Sequence, residues 1–108
     1  MSVDKELLKG STQTLVLTLL ARKEMYGYQL IKELELLSGG LFELREGTLY
    51  PILHALEAER CVRSEWSSGD GARQRKYYSI TKAGRAALKD KKVQWSEFRS
   101  AVDKVVFG

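Results

Sequence analysis

Residues 46–80 read EGTLYPILHALEAERCVRSEWSSGDGARQRKYYSI, and a change of period inside this stretch decides the fold. Leu49, Ile52, Leu53 and Leu56 recur three and four residues apart, the spacing of one buried helix face. Pro51, the only proline, fits a helix only near its start. This helix, helix 3, is therefore expected to open close to Gly47 or Thr48, with the Thr48 hydroxyl as its cap. Beyond it the pattern changes. Cys61 to Ser67 contains Val62 and Trp66, and Gln74 to Ile80 contains Tyr77, Tyr78 and Ile80, residue types that suit strands. Between them, Ser67-Ser-Gly-Asp-Gly-Ala72 supplies Gly and Asp for positive-φ turn positions, so the two runs read as a β-hairpin.

Toward the N-terminus, Leu7, Leu8, Leu15, Val16, Leu17, Leu19 and Leu20 crowd one segment. Apolar on nearly all sides from Leu15 to Ala21, it is expected to form helix 1, covered from several directions. Gly27 precedes Leu30, Ile31, Leu34 and Leu37, and Ser38-Gly39-Gly40 ends that set, giving helix 2 from about 27 to 38. Toward the C-terminus, Thr81 offers an N-cap for a last helix. Leu88, Trp95, Phe98, Val102 and Val105 then fall at alternating heptad positions, with Lys91 in one of the core places. A helix from 82 to 106 would be about 37 Å long, more than a head of this size covers. Its stripe calls for a partner, and the simplest is the same helix of a second copy; burial within an unusually extended monomer is the alternative. The expected architecture is mainly α with a small β-hairpin (α+β): a winged helix-turn-helix head over 1–81 and a C-terminal dimerisation helix over 82–108.

The net charge of +4 is unevenly spread. Residues 1–59 hold 6 Lys/Arg against 9 Asp/Glu, residues 60–92 hold 10 against 3, and residues 93–108 hold 2 of each. A basic middle third suits a polyanion, although a solvated surface is the plainer explanation. Cys61 is the only cysteine, which excludes an internal disulfide and a thiolate metal cluster within one chain. No run approaches the roughly 18 apolar residues of a membrane span, and Met1 to Glu6 lack the pattern of a secretion signal, so a cytoplasmic location is expected. Catalysis is poorly supplied. There is one histidine, Gly69-Asp-Gly71 lies in a hairpin turn rather than between strand and helix, and Glu57 and Glu59 point different ways on a helix. Neither an enzyme, a metal site nor a cofactor is expected.

Three helices, a hairpin and a last helix are the layout in which helix 3 enters the DNA major groove and the hairpin lies against phosphates. With its apolar face buried, helix 3 leaves Glu46, Thr48, Tyr50, Pro51 and His54 toward the other face and the leading turn. The hydroxyls of Thr48 and Tyr50 and the free N–H groups of the helix start can donate to phosphate oxygens. His54, the only histidine, is a candidate for a base edge or a phosphate; an ordinary solvent-facing histidine is the competing reading. Alternation in the second strand puts Arg73, Arg75 and Tyr77 on one face and Gln74, Lys76 and Tyr78 on the other, with one tyrosine inward and one outward.

Four segments together resemble the PadR-like winged-helix regulators: Leu7-Leu-Lys-Gly-Ser11, Met25-Tyr-Gly-Tyr-Gln-Leu30, Glu46-Gly-Thr-Leu-Tyr-Pro51 and Arg75-Lys-Tyr-Tyr-Ser-Ile-Thr81. Their order and spacing match over about 7 to 106, with a single C-terminal helix as in the family's smaller subgroup. The resemblance implies homodimers on palindromic operators, usually repressing, with the C-terminal helix packed against the partner subunit. It implies DNA-facing positions at Tyr26 and Gln29, at Glu46, Gly47, Thr48, Tyr50 and Pro51, and at Arg75, Lys76 and Tyr77. It also suggests a pocket for flat aromatic molecules between subunits with Trp95 in its wall, set against simple dimer packing of Trp95. One departure is Arg60, where the family usually has glycine after helix 3. It must adopt positive φ at a cost of around 1 kcal/mol or end the helix differently, which bears on the angle of the wing. The leading expectation is a homodimeric repressor of a palindromic site, released by a small aromatic or cationic molecule. The alternative is a dimeric ligand-binding or protein-interaction module that keeps the fold without binding DNA.

Overall fold

A computed structural model describes residues 8–67 and 74–108. Leu7, the hairpin tip over 68–72 and Arg73 lie outside the described residues. Among those described, four helices, α1 (Thr12–Leu20), α2 (Gly27–Leu37), α3 (Glu46–Ala58) and α4 (Lys82–Phe107), accompany three strands, β1 (Met25–Tyr26), β2 (Val62–Trp66) and β3 (Lys76–Ile80). The strands form one antiparallel sheet in the order β1-β3-β2. This is the expected winged-helix head with a long last helix.

The core gathers Val16, Leu17, Leu19 and Leu20 of α1, Leu30 and Leu34 of α2, and Leu49, Leu53 and Leu56 of α3. Met25, Val62 and Tyr78 of the sheet close it, together with Cys61 and Leu88. Ile52, expected inside with its neighbours, is only partly buried at the edge of this cluster. Among the described residues the one buried polar side chain, Thr12, donates its hydroxyl to the Leu8 carbonyl at 3.0 Å, so its burial leaves no unmet hydrogen bond. Strand β1 was not expected. Its two residues pair with β3 as Met25 with Tyr78 and Tyr26 with Tyr77, and two residues show no alternation of their own.

Two helices end in the same way with different residues. At the end of α2, Gly39 has φ 66°, and the Gly39 and Gly40 N–H groups donate to the Leu36 and Glu35 carbonyls. At the end of α3, Arg60 has φ 63°, its N–H donates to Glu57 and the Cys61 N–H donates to Leu56. Both are Schellman turns. Arg60 therefore takes the first of its two options and accepts a left-handed conformation that costs an L-residue about 1–2 kcal/mol. Buried Cys61 and Leu56 supply the apolar contact of that turn.

Thr81 fastens the next junction. Its hydroxyl donates to the Arg60 carbonyl at 2.6 Å and accepts the Gly84 N–H at 2.9 Å, capping α4 as expected. A Cβ on Gly84 would run into the Cys61 carbonyl, so the first turn of α4 lies directly against the α3–β2 turn. The wing and α4 thus leave the head from one shared point.

The start of α3 differs from the expectation. The helix opens at Glu46 with Arg45 as its cap residue, and no side chain caps it. Thr48 is the third helical residue rather than the cap, because Arg45 already adopts the extended conformation of a cap (φ −107°, ψ 160°). Pro51 therefore lies inside the helix, and without an N–H it cannot supply the ladder bond to the Gly47 carbonyl.

Helix α4 has 26 residues, about 39 Å at 1.5 Å per residue. Gly84 and Leu88 are buried, Ala87 is partly so, and every residue after Lys91 is exposed. The radius of gyration of 15.1 Å exceeds the roughly 13 Å of a compact chain this long, and the longest extent is 56 Å. Leu88, grouped in sequence with the stripe Trp95, Phe98, Val102 and Val105, departs from it: the head already covers this side chain.

Candidate nucleic-acid interface

The leading turn of α3 stands in solvent. Glu46, Gly47, Thr48, Pro51 and His54 are all exposed, and the space around a Cβ added at Gly47 is open. The Thr48 N–H turns back to the Arg45 carbonyl at 3.0 Å, and with no side-chain cap the Glu46 and Gly47 N–H groups are left for an outside acceptor, the arrangement that receives an anion. Tyr50 does not join them. It borders the buried face, is half-buried, and lays its ring over Gly27, where a Cβ would strike the phenol. Its place is the joint between α2 and α3, and Gly27 is the glycine that the close approach requires.

The wing's outer face gathers residues distant in sequence. Because β1 pairs with β3, Tyr26 lies beside Tyr77, their rings 5.4 Å apart and edge-to-face at 79°. The Arg75 guanidinium sits 4.5 Å from the Tyr26 ring centre. An exposed contact of this kind is worth about 0.5–1 kcal/mol, enough to orient a side chain rather than to hold a fold. The Tyr26 N–H donates to Gln29 Oε1 at 3.0 Å, which ties Gln29 to the start of α2 and leaves its amide NH₂ as the free end. Tyr26, Gln29, Arg75 and Tyr77 are therefore one cluster. Lys76 is not part of it. On the opposite face of β3, its ammonium lies 5.9 Å from the Trp66 ring centre and 5.7 Å from that of Tyr78.

The inner face of the wing closes against α3. Ser64 Oγ donates to the Glu57 carboxylate at 2.6 Å, and Tyr78 is fully buried while Tyr77 is not, one inward and one outward as the alternation implies. Burial pushes the Tyr78 phenol above its ordinary value of 10.0, and the nearby Glu57 and Tyr50 add to that shift.

A second exposed feature lies on α4, where the Trp95 and Phe98 rings stand 6.2 Å apart with both side chains in solvent. Sequence reasoning missed a third, an open cleft of about 660 Å³ that joins Thr48 and Pro51 of α3 to Gln13 of α1 and Lys91 of α4. Cavities leave no periodic trace in a sequence. Among the described residues, no three of His, Cys, Asp and Glu are grouped to hold a metal ion, and no helix is long and apolar enough to cross a membrane.

The geometry has counterparts in known proteins. The model of the transcriptional regulator PadR-like family matches residues 16–90. A transcriptional regulator of Mycobacterium tuberculosis is 39% identical over 84 residues, 78% of this chain and 75% of its own length. A transcriptional regulator from Clostridium thermocellum superposes with a TM-score of 0.87 at 28% identity, covering 94% of this chain and 99% of that one. A PadR family transcriptional regulator from Eggerthella lenta gives 0.78 at 36% identity over 94% and 82%. These relatives are regulators of transcription and not enzymes. By its fold and by the match across most of its length, the chain belongs to the PadR-like family of transcriptional regulators.

Proposed function

We propose that the chain works in the cytoplasm as a homodimer that binds a palindromic DNA operator and represses transcription there. The observation that carries this reading is the uncapped, exposed start of α3 in the same head as a basic wing. In the reading, the N–H groups of α3, Gly47, Thr48 and the ridge formed by Pro51 and His54 enter the groove, with Glu46 at its rim. Tyr50 acts from behind by fixing α3 on α2. The cluster of Tyr26, Gln29, Arg75 and Tyr77 takes phosphates, joined by Lys76 and Arg73. Residues 1–81 form the DNA-binding unit and 82–108 the dimerising helix, which Gly84, Ala87 and Leu88 fasten to the head. Trp95, Phe98, Val102 and Val105 meet their counterparts in the second copy.

A mobility-shift titration with the duplex upstream of its own gene tests the reading. Retardation with two protomers per site is expected, and no retardation at low salt would overturn it. Arg75→Ala should weaken binding to every sequence and lower the slope of log affinity against log salt by about 1, the effect of losing one phosphate contact. Release by a small aromatic or cationic molecule is the finer part of the proposal, supported by the exposed Trp95–Phe98 pair. Such a ligand should lift the retardation and quench Trp95 emission in a variant whose other tryptophan, Trp66, is replaced.

A further inference from the structure

Trp66 ends β2 with 61% of its surface exposed and pairs across the hairpin with Lys76. On this inner face the ladder runs Val62 with Ile80, Ser64 with Tyr78, then Trp66 with Lys76. The first pairs are closed off, since Val62 and Tyr78 are buried and Ser64 is bonded to Glu57 of α3. The last pair stands one step, about 7 Å, further toward the tip and beyond that cover. A single exposed apolar side chain is ordinary, so exposure alone decides nothing. Its company decides.

Lys76 holds its ammonium over the indole, and the other face of the sheet carries Tyr77 of β3 and Tyr26 of β1 with Arg75, which directly precedes β3. At this level the wing presents a cation and an aromatic ring on each face. The surrounding segment, 60–92, holds 10 basic against 3 acidic residues. An apolar pocket on a protein partner would accept the indole but strand the ammonium beside it. A sugar–phosphate wall accepts both, the ring against deoxyribose and the indole N–H and ammonium on phosphate oxygens.

We infer that Trp66 and Lys76 form a second backbone-binding surface of double-stranded DNA, so that the wing grips sugar and phosphate with both faces. The inference rests on the DNA-binding reading above and adds Trp66 to it.

The test uses the full chain carrying 5-fluorotryptophan, whose two fluorine resonances are assigned with Trp66→Phe. The probe is a random duplex of about 24 base pairs at about 50 mM salt, where phosphate contacts dominate. The resonance of residue 66 should shift in step with binding followed by anisotropy of the labelled duplex. Trp66→Ala should weaken binding about fivefold without changing the salt slope, Trp66→Phe less than Trp66→Ala, and Lys76→Ala should lower the slope by about 1. Duplex binding with an unmoved resonance and Trp66→Ala and Trp66→Phe as tight as wild type would overturn the inference and leave the DNA-binding reading standing. A resonance that moves with protein concentration alone would overturn it in favour of a contact between copies. No binding by the wild-type chain would overturn both.

Discussion

The first turns of α4 and the longer remainder share one helix and one apolar stripe, yet their surroundings are opposite. Gly84, Ala87 and Leu88 face the head and are covered, whereas Trp95, Phe98, Val102 and Val105 continue the same line, at 100° per residue, into solvent. The contrast shows what periodicity carries. It names the face of a helix that seeks cover but not which element supplies the cover. For Leu88 the head supplies it; for the rest, the proposed second copy does.

The sharpest way to break this contrast is to strip the exposed half. Trp95→Ala combined with Phe98→Ala should weaken self-association by a thousandfold or more, on the order of 4 kcal/mol or above because a two-fold interface loses each side chain twice. Sedimentation would show this, while circular dichroism of the dilute head stays unchanged. Leu88→Ala should act in the other sense, lowering the stability of the head by about 2–5 kcal/mol in urea, independently of protein concentration. A concentration-dependent loss would place Leu88 with the interface instead. Smaller still is Arg60→Gly, which relieves the left-handed strain beneath the α4 junction. It should stabilise the head by about 0.5–1 kcal/mol, since glycine's greater freedom in the unfolded chain offsets part of the relief.

The slightest effect belongs to Tyr78. Its phenol titrates above 10.0 in the folded head because of burial first and Glu57 and Tyr50 second. Below pH 10 both folded and unfolded chains keep the proton and nothing is lost. As pH rises past 10 the unfolded chain ionises first, so stability falls toward the folded value. Thermal melts should therefore decline less steeply above pH 10 in Tyr78→Phe than in the wild-type chain.

The helices were legible because Leu30 and Leu34, or Leu49, Leu53 and Leu56, repeat a local period that the core then uses. Thr81 was legible as a cap because its hydroxyl meets an N–H three residues on. What was hidden depends on distant partners. Strand β1 exists because Tyr77 and Tyr78 lie beside it, Tyr50 turns inward because Gly27 leaves room, and Leu88 is covered by elements far back in the chain. The site divided in the same way. The exposure of the leading turn of α3 could be read from its own residues, though not its first residue or its cap, whereas the union of Tyr26 and Gln29 with Arg75 and Tyr77 follows only from β1 pairing with β3. Lys76 shows the limit of adjacency, since its neighbours on both sides point to the other face.

In the proposed dimer the bare half of α4 is covered by a second copy, which sets two heads on one DNA site. Sedimentation equilibrium of the full chain at micromolar concentration tests it most directly. A mass of twice 12.3 kDa is expected, together with a Trp95 shielded from acrylamide. A mass of 12.3 kDa with both tryptophans freely quenched would contradict it.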